Sequence, residues 1–392
     1  MNPKILHNGV QEFIRENEET DIYRLLLQQS PFPGISCREL AEQIASRKKA
    51  SDKLPSWYSA PAIYFPNKRN LEQSSSEATA AYKASLVQVH TIFDLTGGFG
   101  VDTYYFSKNA GEVVYWEADE QLAEIAAHNL KELGALNVSC HHGDGLSWLI
   151  EKKPVANLIY LDPSRRSRDS KRVFLLSECR PDVPAHLPVL LKAAAHILVK
   201  TSPLLDLQAG LRELQYVREI HIVAVANEVK EVLWLLEKGF KGKPVVHTIN
   251  LLRAGEQKFS FTLSQEKPAA GNYSEPLTYL YEPNAAIMKS GGFHSLGKAL
   301  GLPRLQLHSH LYTSTELVDF PGRGFRIRRT EPFSRSVMKM LAYDKANISI
   351  RNFPLSVAEI RKKFRIAEGG PLYLFFTKTD GAGLILIECE KI

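Results

Sequence analysis

The sequence predicts an α/β architecture: a largely parallel sheet with helices on both faces, a helical region before it and an α+β region after it. Three observations lead there. From Thr91, short β-rich apolar runs alternate with helical stretches, the pattern of a parallel sheet covered on both sides. Before Thr91 the patterning is helical. After the polar stretch QEKPAAGNYSEP (265–276), which reads as a linker, helix and strand signals recur in a new order.

Residues 1–85 are expected to form a helical domain. Ser36-Cys37-Arg38-Glu39 is a capping box that opens a helix through LAEQIASRKK. LPSWYSAPAIYFP follows, then a helix over SSEATAAYKASL. Trp57, Tyr58 and Tyr64 are read as packing residues rather than base-stacking platforms. Residues 86–265 are expected to hold the sheet. Its strands are TIFDL, EVVYWEA, NVSCHH, NLIYLD, HILVKT and EIHIVAVA. Its helices are DTYYFSK, DEQLAEIAAHNLKELG, PDVPAHLPVLLKAAA and LDLQAGLRELQ. VKEVLWLLEKG is predicted to be a further helix, with VVHTINLL and KFSFTL closing the sheet as an antiparallel edge. Beyond the linker, a helix is predicted around NAAIMKSGGFHSLGKALG, then a basic strand FRIRR. Ser356 and Glu359 form a second capping box, on a helix carrying Arg361, Lys362, Lys363 and Arg365. Gly369-Gly370 is predicted to stop it, and YLFFTKTDGAGLILIEC to form a final hairpin.

At 392 residues the chain has room for two or three domains. No stretch approaches the ~18 uninterrupted apolar residues of a membrane helix. The start, MNPKILHNGVQEFIRENEET, has no signal-peptide core. A cytoplasmic protein with no membrane partner is expected. Cys37, Cys140, Cys179 and Cys389 form no CxxC pair, which argues against a disulfide framework or zinc site. No metal is expected: His141-His142 reads as a strand end, and His294, His308 and His310 form no convincing cluster. The net charge of +6 is uneven. From Pro321 onward there are 14 Lys+Arg against 7 Asp+Glu, while the remainder, with 35 against 36, is about neutral. A basic tail on a neutral body points to a polyanionic partner.

In an open parallel sheet, ligands bind outside the carboxyl ends of the strands. Four predicted strand ends carry an acid. Asp94 closes the first, before a turn containing Gly97, Gly98 and Gly100. Glu117 closes the second, 23 residues after Asp94, where a carboxylate can accept both hydroxyls of a ribose. Gly143-Asp144 follows the third, placed to accept from an adenine amine. Asp162-Pro163 ends the fourth. Beyond it five cations fall within eight residues: Arg165, Arg166, Arg168, Lys171 and Arg172.

This constellation resembles the class I S-adenosylmethionine (SAM) methyltransferases, whose first motif is acid-x-Gly-x-Gly-x-Gly. Asp94, Gly98 and Gly100 match, and Thr96 stands in place of the first glycine. The resemblance implies a Rossmann-like sheet and SAM as cofactor. The loop Asp94, Thr96, Gly97, Gly98 and Gly100 would hold its methionine part, Glu117 and the adjoining Ala118 its ribose, and Asp144 its adenine. The segment AAHNLKELG adds to the likeness. YLYEPNAAIMKSGGF, SHLYTSTELVDFPGRGF and RNFPLSVAEIRKKF make the whole chain similar to a bacterial family of such enzymes with a C-terminal THUMP-like domain. By that likeness, residues 275–320 would be a small ferredoxin-like α+β domain and residues 321–392 a basic THUMP-like domain.

Amino-group methyltransferases of nucleic acids carry Asp/Asn-Pro-Pro-Tyr at the fourth strand. Asp162 and Pro163 match it and would orient the acceptor; Ser164 and Arg165 do not, so the stacking ring is missing there. RNA is the expected substrate, methylated at a base amine or another nucleotide position. Arg165, Arg166 and Arg168 near the site, with Arg326, Arg328, Arg361 and Lys362 in the tail, would bind its phosphates. Carbon methylation would need a cysteine nucleophile; Cys179 reads as a distant structural thiol. Two alternatives stand: a non-catalytic RNA-binding protein with a vestigial methyltransferase fold, and a methyltransferase for a protein or small molecule. A nicotinamide dehydrogenase is disfavoured, because Thr103 occupies the third glycine position of GxGxxG.

Overall fold

The computed structural model describes residues 1–165, 175–266 and 272–392. It divides into two compact units. The first holds Met1–Arg218 and Glu231–Lys241, the second Glu219–Lys230 and Gly242–Ile392. Among the described residues, no helix is long and apolar enough to cross a membrane.

In chain order the first strands are β1 (Thr91–Asp94), β2 (Glu112–Glu117), β3 (Val138–His142), β4 (Ala156–Leu161), the two-residue β5 (Ser164–Arg165) and β6 (Cys179–Arg180), β7 (Ala194–Thr201), β8 (Val217–Val225) and β9 (Glu228–Glu237). The first unit orders its sheet β9-β7-β4-β1-β2-β3. Strands β7, β4, β1, β2 and β3 are parallel, and β9 runs antiparallel beside β7. This is the parallel α/β sheet that the alternating pattern predicts, Rossmann-like as the resemblance implies. Asp94 lies level with Tyr115 on one side and Tyr160 on the other. The parallel register therefore brings Asp94, Glu117 and Asp162 to one rim.

Strand β9 replaces a predicted helix. Its Leu, Glu and Lys content suits a helix, and Glu231–Leu236 is buried without alternation. A strand covered on both faces shows no period of two, so pattern alone misreads it. What betrays it is the turn Ala226-Asn227, with φ of 49° and 66°, which reverses the chain in two residues. The helix Gly145–Lys152, between β3 and β4, had no predicted counterpart.

The N-terminal helices share a core with the sheet's helices. Leu40, Ile44, Trp57 and Phe65 lie in one cluster with Phe99 of the glycine turn and Val101, Leu122 and Ile125 of those helices. The capping box at Ser36 and Glu39 forms as predicted. Asn129, on the helix Glu120–Glu132, clamps the aromatic segment: it accepts from Tyr64 N–H and donates to Tyr64 C=O, both at 2.9 Å.

In the second unit, β10 (Val245–Leu252) pairs parallel with β8 and antiparallel with β11 (Gly255–Thr262). The predicted antiparallel edge is thus β11, which holds KFSFT, while VVHTINLL in β10 joins the sheet parallel to β8. The remaining strands are β12 (Tyr279–Pro283), β13 (Tyr312–Ser314), β14 (Gly322–Pro332), β15 (Lys345–Ile350), β16 (Ala367–Thr379) and β17 (Gly383–Lys391), in the order β13-β12-β14-β17-β16-β15. The helix predicted around NAAIMKSGGFHSLGKALG is two helices, Ala285–Ser290 and Phe293–Leu300. Gly291 (φ 72°) ends the first, and a Cβ on Gly292 would lie 2.4 Å from the Phe261 ring. The helix Val357–Phe364 has its capping box, but left-handed Arg365 ends it. Gly369-Gly370 instead lies inside β16, where the pairing with β15 shifts register. The final hairpin, β16–β17, forms as predicted.

Replacing Asn129 with alanine leaves the Tyr64 backbone amide and carbonyl buried without these partners. A loss of about 2–4 kcal/mol is expected, read from the urea midpoint; an unchanged midpoint would show that the clamp is dispensable.

Candidate functional site

The turn after β1 is built by backbone bonds and one carboxylate. Gly97 N–H donates to Trp116 C=O at 2.8 Å, which joins the turn to β2. A Cβ on Gly97 would lie 1.9 Å from the Tyr115 ring, so only glycine fits there. Gly98 has φ 58° and open space around its Cα. Its N–H donates to Glu117 Oε2 at 2.8 Å, while Glu117 Oε1 accepts from Asp119 N–H at 2.8 Å. Glu117 is therefore fixed with one donor on each oxygen and lone pairs remaining on both.

Asp94 sits beneath this turn, fully buried. Its Oδ2 accepts from Thr103 Oγ1 at 2.6 Å and its Oδ1 from Thr96 N–H at 3.1 Å. Burial pushes it up to about 7, against those two hydrogen bonds and with help from Asp102 and Asp162. Thr96 links two strand ends: its Oγ1 accepts from Asp162 N–H at 2.7 Å. Gly100 caps the helix Val101–Ser107 with φ 86°, and a Cβ on it would lie 3.4 Å from the Ala126 and Leu130 side chains. Asp144 is an exposed N-cap whose Oδ1 accepts from Leu146 and Ser147 N–H. Ala118 is exposed beside Glu117.

At the end of β4, Asp162 is about one third exposed, and its Oδ2 accepts from Lys200 Nζ at 2.6 Å. Lys200, on β7, belongs to a buried polar network. Lys83, with no exposed side-chain surface, bonds both oxygens of Glu231 at 2.7 and 2.6 Å and lies 3.2 Å from Asp102 Oδ1. Asp102 Oδ2 accepts from Ser75 Oγ and Tyr160 Oη, each at 2.8 Å, with Lys200 Nζ at 4.0 Å. Burial pushes Asp102 up, but Lys83 and Lys200 hold it below its ordinary value. Burial lowers Lys200, but Asp162, Asp102 and Glu231 outweigh it and keep the ammonium protonated.

Residues 279–321 match a family described as a ferredoxin-like domain, and residues 322–391 one described as THUMP domain-like. The whole structure is similar to the crystal structure of a protein from Porphyromonas gingivalis W83 provisionally named a methyltransferase. The two are 33% identical, with a TM-score of 0.90 and a match covering 100% of this chain and 98% of that one.

The chain belongs to the class I methyltransferase family with a C-terminal THUMP-like domain. Two partial likenesses accompany this one. One is yhhF from Escherichia coli, also provisionally named a methyltransferase, at 21% identity and TM-score 0.31 over 44% of this chain and 88% of that. The other is the O-methyltransferase from Bacillus cereus in complex with SAH, at 16% and 0.33 over 50% and 97%. No curated protein matches the sequence.

Of the residues singled out in this methyltransferase, Thr96, Gly97, Gly98, Glu117 and Asp162 are joined by the bonds above. Asp94 and Gly100 lie beneath the turn and shape it. Pro163 follows Asp162 and is partly exposed. Cys179 is less distant than its position suggests, since β6 pairs with β5 and sets it opposite Arg165. Arg166, Arg168, Lys171 and Arg172, and the Arg165 side chain, lie outside the described residues. In the tail, Arg326 and Lys362 are exposed. Arg328 is ion-paired with Glu390. Arg361 donates to Ile366 C=O just beyond its helix and to Ala346 C=O on β15, so its charge is used within the fold. Lys83, Asp102, Lys200 and Glu231 were not singled out at all. Lys200 had one signal, a cation at the end of the apolar run HILV; the others are polar residues inside ordinary-looking helix and strand patterns.

The Asp94 shift sets a pH dependence. From about pH 4 to about 7 the native chain holds a proton that the unfolded chain has released, so stability from this group falls as pH rises through that window. Asp94→Asn is expected to remove this part of the slope in urea titrations. An identical slope in the variant would contradict the assignment.

Proposed function

We propose that this methyltransferase takes its methyl group from S-adenosylmethionine and transfers it to RNA. The observation that carries the reading is the rim where Glu117, by both oxygens, and Asp144 and Asp162, by one oxygen each, are tied to the scaffold with acceptor capacity left over. The residues suit the cofactor. Glu117 can accept from both ribose hydroxyls, and Asp144 can accept from the adenine amine with Oδ2. The bare backbone at Gly97-Gly98 lets a ligand approach closely. SAM supplies a methyl group already activated on its sulfonium.

The chain's own work is then placement. Asp162, with Oδ2 held by Lys200, can accept from the nucleophile's N–H or O–H with Oδ1 and align its lone pair. Pro163 restricts the backbone of the residue before it, Asp162. The THUMP-like domain and the exposed cations Arg326 and Lys362 support RNA as acceptor. A protein or small-molecule acceptor is a second reading. It is favoured by the way the tail's charge is used internally: Arg323 and Arg351 both pair with buried Glu282, and Arg328 with Glu390.

Incubation with methyl-labelled SAM and total RNA from cells lacking the protein tests the reading. Label is expected in one modified nucleoside. Asp162→Ala is expected to slow transfer about 100-fold or more while leaving SAM affinity nearly unchanged. Label found only in protein or small molecules would overturn RNA as acceptor. Equal loss of transfer and of SAM affinity would overturn the role of Asp162.

A further inference from the structure

A second group of chemically capable side chains lies in the other unit. On β8, Glu219 and His221 are two residues apart and share one face of the strand. On the neighbouring β10, His247 is the direct cross-strand partner of His221. The two imidazoles stack, with centroids 4.6 Å apart and planes at 18°. Both turn Nε2 toward the same atom: Glu219 Oε2 lies 3.1 Å from His221 Nε2 and 3.8 Å from His247 Nε2. One ligand atom from each residue lies within 4.8 Å of the other two.

We propose that Glu219, His221 and His247 form a binding site for a divalent transition metal ion of the zinc type, which clips β8 to β10. Two imidazoles and one carboxylate are a recurrent zinc donor set, leaving a fourth position for water. With metal–ligand distances of about 2.0–2.2 Å, tetrahedral ligand atoms stand roughly 3.4 Å apart. The two Nε2–Oε2 separations bracket that value.

The surroundings fit a ligand role. His247 Nδ1 lies 2.8 Å from the hydroxyl of Ser260, its partner on β11. Such a bond orients a ligating ring, and with Ser260 as the acceptor Nδ1 carries the proton and the Nε2 lone pair is free for metal. In that tautomer the lone pair faces a carboxylate oxygen, a repulsion that a cation between them reverses. A hydrogen-bonded Glu219–His221 pair alone does not call for the second ring. Entry is open, because Glu219 and His247 keep about a quarter of their side-chain surface exposed, whereas His221 is buried.

Titration of the chelator-stripped full chain with zinc by calorimetry, and with cobalt(II) by visible absorption, tests the proposal. One equivalent of zinc is expected to bind and to raise the melting temperature. The cobalt form is expected to show the absorption of a near-tetrahedral site. His247→Ala and Glu219→Gln change partly exposed side chains, and near-UV circular dichroism checks that each variant remains folded. Each is expected to weaken zinc binding at least 100-fold. Ser260→Ala, which touches only the orienting bond, is expected to weaken it 10- to 100-fold. Absence of stoichiometric zinc binding by the wild-type chain would overturn the proposal. So would unchanged affinity in folded His247→Ala and Glu219→Gln.

Discussion

A lysine with no exposed side-chain surface is the point on which the first unit turns. Lys83 comes from the last N-terminal helix, yet it binds Glu231 on β9 and Asp102 on the helix after the glycine turn. Through Asp102 the network reaches Tyr160 on β4 and approaches Lys200 on β7, and Lys200 holds Asp162. Such buried pairs add little net stability over an apolar equivalent, but removing one partner costs about 3–5 kcal/mol. Their consequence is positional. Five segments distant in sequence must meet in one arrangement for every charge to be compensated, and Asp162 then stands in one place at the strand end. The N-terminal helices are therefore part of the foundation of the site.

The rim follows one rule. Glu117 gives each oxygen one backbone donor, Asp144 uses one oxygen to start a helix, and Asp162 uses one oxygen on Lys200. Side chains held this way have lost their rotational freedom before a ligand arrives, so placing the ligand demands less ordering. Asp94 follows a different rule. Sealed under the turn, it bonds Thr96 and Thr103 and supports the loop from below. Thr96, standing where the related motif has glycine, has its own use: its hydroxyl ties the β1 turn to the Asp162 amide.

The strand–helix alternation, both capping boxes, the glycine turn and the strand-end acids were legible because each is a local pattern. What was illegible depends on contacts between distant segments. Strand β9 reads as a helix because burial on both faces erases alternation. Lys83 and Glu231 look like solvated charges on a helix, since neither has a local partner to reveal its burial. Counting charge by sequence span also misled. Glu282, before the basic tail, neutralises part of Arg323 and Arg351, so the tail's positive excess overstates what its surface offers. The His221–His247 pair lies in two runs whose adjacency appears only once β8 and β10 are paired.

The carboxyl rim of the parallel sheet is the proposed seat of an adenosyl sulfonium cofactor. A co-crystal structure with S-adenosylhomocysteine tests it most directly. Ribose hydroxyls are expected on Glu117, the adenine amine at Asp144 and the amino-acid part over Gly97-Gly98. A nucleoside bound away from this rim, or no binding at millimolar concentration, would contradict it.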